Sequence, residues 1–368
     1  PQPPQAPPSQ PSATETAKPD SSSAKIKHWI AELAAPTFQR RETAVAKLLE
    51  IGSPSLSGLH NVRDAKDRET RRRARAIYLR ILRQDYQRRI SLFESGESDS
   101  ATISSWTEFS KKFGDQDANR ELFAIMLRST PELMIQLEGE RSDLPKAVRE
   151  WIQKVDRGGA VFGSPNLTIG NVTTLAFCSL VAPENLSQAN IKVFSTTRYN
   201  ARIRREISEG QHSSTLKKIL SNLVEREETE VAAALRCCLL FSLRETGLKK
   251  ATALLANNQQ NTNVTVEAML VTASFGGSKE EESLDRLIVD PTRYAVFSHK
   301  NRTIQTNIGD VALALLWTMH DIAPSTRGFT EGIESDANII NPHLAGFTSE
   351  AERETAVKLW KTYRAEKK

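Results

Sequence analysis

The stretch RETAVAKLLEIGSPSLSGL, residues 41–59, places Ala44, Val45, Leu48, Leu49 and Ile51 at spacings of three and four. That is the period of an α-helix and not of a strand. Gly52 can end this helix, because glycine enters a left-handed backbone conformation without steric cost. Pro54 suits the first turn of the next helix, where a missing N–H leaves nothing unbonded. Two helices joined by a tight turn are expected, each with one apolar face. Neither can cover its own face, so more helices must follow.

They do follow along the chain. Ala74, Ile77, Tyr78, Ile81 and Leu82 form the next stripe. Others are Leu122, Ile125 and Met126; Val148, Trp151 and Ile152; Leu216, Ile219, Leu220 and Leu223; and Val231, Leu235, Cys238 and Leu239. Towards the end, Ile308, Val311, Ala312, Leu315, Leu316 and Met319 read as a strongly apolar helix, and Ala356, Leu359, Trp360 and Tyr363 as a final amphipathic one. Ser278 with Glu281, and Ser349 with Glu352, have the spacing of helix-starting capping boxes. Strand signal is scarce. The polar turn at residues 298–302, flanked by 294–297 and 303–305, predicts one short β-hairpin over 294–305. The fold class expected is all-α, built from many short antiparallel helices.

Residues 41–59 resemble the first helix, turn and second-helix start of a HEAT repeat. Glu69-Thr70-Arg71-Arg72-Arg73-Ala74 resembles the opening signature of a further repeat, with Thr70 where an aliphatic residue is usual. Residues 120–127, Thr130-Pro131, Leu137 and Ala147-Val148-Arg149 echo it more faintly. The end of the chain, with residues 309–314, Gly328-Phe329, Gly346-Phe347 and the Trp360 helix, is similar to the C-terminal ends of exported bacterial HEAT-repeat proteins of undefined function. The resemblance implies an α-solenoid of helix pairs whose end units are specialised as caps, since stacked repeats need a polar outer face at each end.

At 368 residues the chain exceeds the usual size of a single core, so two domains or one extended array are expected. Apolar residues at 39% and charged residues at 26% suit a globular protein. The longest apolar runs, 174–182 and 231–243, are too short to span a bilayer. Residues 1–24 are rich in proline and serine, lack any large apolar residue, and read as a disordered tether. Residues 25–157 read as N-terminal helical repeats, and residues 158–368 as a C-terminal repeat region with a capping helix. The glycine-rich 157–166 stretch marks the boundary. A chain starting at Pro1 with such a tether suits an exported, periplasmic or envelope-associated protein whose signal peptide has been removed; without that removal the expected place is the cytoplasm.

Charge is the most informative surface feature. Residues 40–90 hold fourteen Lys and Arg against six Asp and Glu, a local +8 in a chain whose net charge is +5, leaving −3 for the rest. At about 100° per residue, Arg68, Arg72, Arg75 and Arg83 fall within one arc, with Arg73 and Arg80 beside it, opposite Ile77 and Ile81. The arc is a candidate binding face, since Arg bonds carboxylate and phosphate alike in bidentate fashion. Two other readings stay open. One is a solvated helix face with intrahelical pairs such as Arg68 or Arg72 to Glu69. The other is a nucleic-acid or polyanion contact, which would favour aromatic neighbours for stacking; only Tyr78 and Tyr86 are near, Tyr78 on the core side.

Catalytic and metal signals are missing from the sequence. His28, His60, His212, His299, His320 and His343 are scattered without ligand spacing, and His320 reads as a helix-end histidine. Gly158-Gly159 and Gly276-Gly277-Ser278-Lys279 do not match phosphate loops, and no nucleophile elbow occurs. Cys178, Cys237 and Cys238 read as buried helical thiols, the other reading being a vicinal dithiol at 237–238. The sequons at Asn166, Asn171, Asn185, Asn263 and Asn301 are taken as incidental. The functional expectation is a non-catalytic protein–protein interaction scaffold with no metal and no cofactor. Its partner is expected to be another protein, with an acidic surface, a polyanion or nucleic acid as alternatives.

Overall fold

The computed structural model describes residues 21–62, 67–96, 103–138, 141–157, 167–182, 184, 186–257, 261–299, 302–335 and 339–367. Most of the expected tether, the 158–166 stretch, and the sequons at Asn166, Asn185 and Asn301 lie outside them. The chain divides into two compact units, residues 1–98 and 99–368. Among the described residues the fold is all-α apart from one two-stranded hairpin.

The first unit holds α1 (Ser21–Glu32), α2 (Phe38–Ile51), α3 (Leu56–Val62) and α4 (Arg68–Ser95). Residues 21–24, expected to belong to the tether, form the first turn of α1. Gly52 ends α2 at φ +71°, with its N–H bonded to the Leu48 carbonyl. Pro54 sits in a single 3-10 turn, Ser53–Ser55, that leads into α3. Leu33, Ala44, Leu48, Leu59, Ala74, Ile77 and Ile81 close the core between the four helices, joining the stripes of α2 and α4 that neither helix covers alone.

The second unit begins with α5 (Ser104–Phe113), α6 (Asp117–Ser129), α7 (Pro131–Glu138), α8 (Leu144–Arg157), α9 (Ile169–Val181) and α10 (Ser187–Tyr199). It continues with α11 (Ala201–Glu209), α12 (Ser213–Arg226), α13 (Val231–Phe241), α14 (Arg244–Ala256), α15 (Thr262–Phe275) and α16 (Ser278–Asp285). The hairpin β1 (Arg293–His299) and β2 (Arg302–Asn307) follows, then α17 (Ile308–Met319) and α18 (Glu350–Lys367). Its helices stack in two rows. In one row α6, α9, α12, α14 and α16 pack successively; in the other α8, α10, α13, α15 and α17 do the same. Pairs α9/α10, α12/α13, α14/α15 and α16/α17 join the rows. Such an arrangement is compatible with an α-solenoid, each helix pair burying its apolar faces on its neighbours.

At one end the core is aromatic: Phe109 lies 5.2 Å from Phe123 and 5.4 Å from Phe177 between ring centroids, with Trp106 5.3 Å from Phe123. At the other end α17 is buried along nearly its whole length and is covered by α15, α18 and the hairpin. The helix starts differ in detail from the sequence expectation. Ser349 does cap α18, accepting the Glu352 N–H, while Glu352 accepts from the Thr348 N–H. At α16 the box is displaced by one residue: Glu280, not Glu281, accepts the Gly277 N–H, and Glu281 instead lies 3.3 Å from His320.

All three cysteines are buried and free. Burial pushes the Cys178 and Cys238 thiols up to about 12, and the Cys237 thiol well above its ordinary value. The thiolate is the reactive form, so the native chain should leave all three unmodified by a thiol-exchange reagent at about pH 8, whereas the denatured chain should release three equivalents. A thiol that reacts rapidly in the native chain would contradict their burial.

Candidate functional site

The arginine face of α4 is set by how that helix starts. Asp67 caps it, accepting the Thr70 N–H and hydroxyl, and these bonds hold its carboxyl below the usual range. Thr70 is thereby turned inward with Ala74, Ile77 and Ile81. With that face fixed on the core, Arg68, Arg72, Arg75 and Arg83 emerge on the other side within about 80° of arc. All four are exposed, as is Arg80 on the flank. None of these five makes an ion pair or side-chain hydrogen bond with another described residue. Leu79, 44% exposed, stands at the centre of the arc.

Arg73 is different from the other candidates. Its guanidinium bonds Glu69 at 2.7 Å and Glu42 at 2.6 Å, and its side chain is largely covered. It ties α4 to α2 and is not free for a partner. Glu69 is therefore used by Arg73, not by Arg68 or Arg72. Arg73 also lies 6.0 Å from the ring of Phe38, which is 64% exposed; this aromatic came from a neighbouring helix, so the local sequence of α4 gave no sign of it. Beyond Leu82 the buried positions become Tyr86, Ile90 and Phe93, in the angular sector that carries arginine earlier, so the basic face ends at Arg83.

A second feature lies in the other unit. A cleft of about 550 Å³ runs between residues 288–291, the start of α17 and one face of α18, with Val289, Pro291, Val357 and Lys361 on its walls. Its floor is Asp310, 2% exposed, which receives Arg353 Nε at 2.8 Å and a second guanidinium nitrogen at 3.1 Å, plus the Asn307 N–H at 2.8 Å. Burial raises the Asp310 carboxyl above its ordinary range despite the lowering pull of Arg353. Arg353 also donates to the Gln305 carbonyl. This floor is closed on itself and fastens α18 to α17 and β2.

A third cluster gathers on the row formed by α10, α13 and α15. Arg236 pairs with the buried Glu267, and burial followed by the nearby Arg198 lowers its pKa. Tyr294 at the start of β1 stacks on His343 at 5.2 Å between centroids. No local sequence pattern joins these residues, since Arg198, Arg236 and Glu267 lie on three different helices, Tyr294 on a strand and His343 in the 3-10 turn Pro342–Leu344. Among the described residues no group of three His, Cys, Asp or Glu side chains could hold a metal ion, and no helix is long and apolar enough to cross a membrane. His320 ends α17 as expected, bracketed by Glu281 and the Tyr363 hydroxyl at 3.4 Å. Compared with protein-family models, curated proteins and solved structures, the chain matches none.

Proposed function

We propose that this chain is a non-catalytic interaction scaffold of HEAT-like helix pairs that docks an acidic protein surface on the arginine face of α4. The row Arg68, Arg72, Arg75 and Arg83, exposed and without ionic partners among the described residues, surrounds the exposed Leu79 and supports this reading. Helix formation does not account for it. Arg68 lies in the first turn, where the helix dipole disfavours a cation. Like charges at i and i+4, as at Arg68 and Arg72, or at i and i+3, as at Arg72 and Arg75, each cost a few tenths of a kcal/mol. A mixed patch of guanidinium groups around one apolar side chain suits a protein interface, where Arg is enriched.

Replacing Arg68, Arg72, Arg75 and Arg83 together by Glu tests this. The variant should melt close to the wild-type temperature: the like-charge pairs persist as Glu–Glu pairs, while a carboxylate at position 68 suits the helix N-terminus where a cation did not. A partner captured by the wild-type chain from cell extract should be lost by at least about tenfold in affinity. Equal capture would mean that the partner does not bind this face. The second reading, a polyanion or nucleic-acid contact, draws on the exposed Phe38 beside Arg73. It requires affinity to collapse with rising salt in proportion to the phosphates contacted, whereas a protein partner seated on Leu79 should survive moderate salt.

A further inference from the structure

The hairpin has an open side. Gln305 exchanges both of its backbone hydrogen bonds with Phe347, at 3.0 and 3.1 Å, so its N–H and C=O point away from β1. Val296 lies opposite Gln305 in the register, and Ser298 lies two residues further on, opposite Thr303. In an antiparallel ladder the alternation of bonded and non-bonded pairs then turns the N–H and C=O of Val296 and Ser298 outward, away from β2. No strand lies beyond β1 among the described residues, and neither residue makes a further backbone bond there.

Natural sheets guard such edges with lysine, proline, bulges or a covering segment. Here the bulge at Tyr294 guards only the first end, and residues 295–299 contain neither lysine nor proline. Val296 is 54% exposed and Phe297 42% exposed, which is apolar surface beside unused backbone groups. The surroundings are basic. Arg293 at the start of β1 is exposed and has no ionic partner among the described residues. Tyr294 is within electrostatic reach of Arg236. Arg236 is neutralised by Glu267, which leaves the charge of the neighbouring Arg198 uncompensated; Arg198 lies 5.0 Å from the ring of the exposed Tyr199.

We propose that the outer edge of β1 takes an extended, acidic peptide segment of a partner protein by strand addition. The backbone groups of Val296 and Ser298 pair with the peptide, an apolar peptide side chain covers Val296, and acidic side chains face Arg293 and Arg198. Main-chain pairing supplies affinity in this mode and alternate side chains supply specificity. The site lies in the second unit and does not depend on the arginine face of α4.

The test uses the full chain and two fluorescein-labelled octapeptides, one alternating valine and glutamate, the other valine and lysine, read by fluorescence anisotropy. The glutamate peptide should bind and the lysine peptide should bind at least about tenfold more weakly. Val296→Pro removes only an outward N–H and is tolerable on an edge; it should weaken the glutamate peptide by about tenfold. Arg198→Glu should weaken it by about fivefold. Should Val296→Pro unfold the hairpin, amide exchange in the wild-type chain decides, with slowed exchange at Val296 and Ser298 on adding peptide as the expected result. The proposal is overturned if the glutamate peptide does not bind, if both peptides bind equally, if Val296→Pro binds like wild type while folded, or if those amides are unaffected. It is also overturned in favour of a second copy if the chain self-associates through this edge, seen as a concentration-dependent dimer that Val296→Pro abolishes.

Discussion

Trp360→Ala should destabilise the second unit by about 3–5 kcal/mol, the usual cost of emptying a large aromatic site, and lower its melting temperature by about 10 °C. Trp360 is 1% exposed, meets Trp317 edge-on at 4.9 Å between centroids, and donates its indole N–H to Asp285 at 3.0 Å. Asp285 in turn pairs with Arg364. The substitution therefore removes core volume on α17 and unties α18 from the end of α16. Leu359→Ala, next in sequence but 44% exposed, should change stability by no more than about 0.5 kcal/mol. A thermal or urea melt of the two variants checks the contrast; similar losses would mean that α18 does not pack as described.

Arg353→Met should cost about 3 kcal/mol near neutral pH, because it strands the carboxylate of Asp310 in a buried position. The loss should shrink as the pH falls. Burial already holds the Asp310 carboxyl above its ordinary range, so between its unfolded and folded values the native state keeps a proton that the unfolded chain has released. Over that window stability falls as pH rises. Without Arg353 the carboxyl moves higher still, the window extends upward, and the penalty is fully felt only above it. Asp310→Asn combined with Arg353→Met leaves no charge behind and should recover most of the loss at neutral pH. Urea melts of the three chains between about pH 5 and pH 8 decide it; a loss independent of pH, or a double variant as weak as the single, would contradict the pairing.

The sequence made the helical class legible because the period of Ala44, Leu48, Ala74, Ile77 and Ile81 is local, and each of these residues is buried between α2 and α4. The hairpin expected over 294–305 forms over 293–307 for the same reason: its turn and flanking residues are contiguous. What was not legible depends on pairing across the chain. Arg73 looked like a member of the basic face until Glu42, on α2, was placed beside it. Glu69 serves Arg73 because a spacing of four sets both side chains on one side of the helix. The start of α16 moved by one residue because Glu280 reaches back to the Gly277 N–H while Glu281 faces His320 on α17. Asp310 and Arg353 are joined across 43 positions, and the outward edge of β1 is revealed only by the bond between Gln305 and Phe347.

Occupancy of the arginine face of α4 by a protein is tested most directly by placing a photo-crosslinking amino acid, p-benzoylphenylalanine, at Leu79 in the source cell. One discrete protein adduct should form on irradiation and should disappear when Arg68, Arg72, Arg75 and Arg83 are replaced by Glu. No adduct, an adduct that persists without the four arginines, or adducts formed with nucleic acid alone would contradict it.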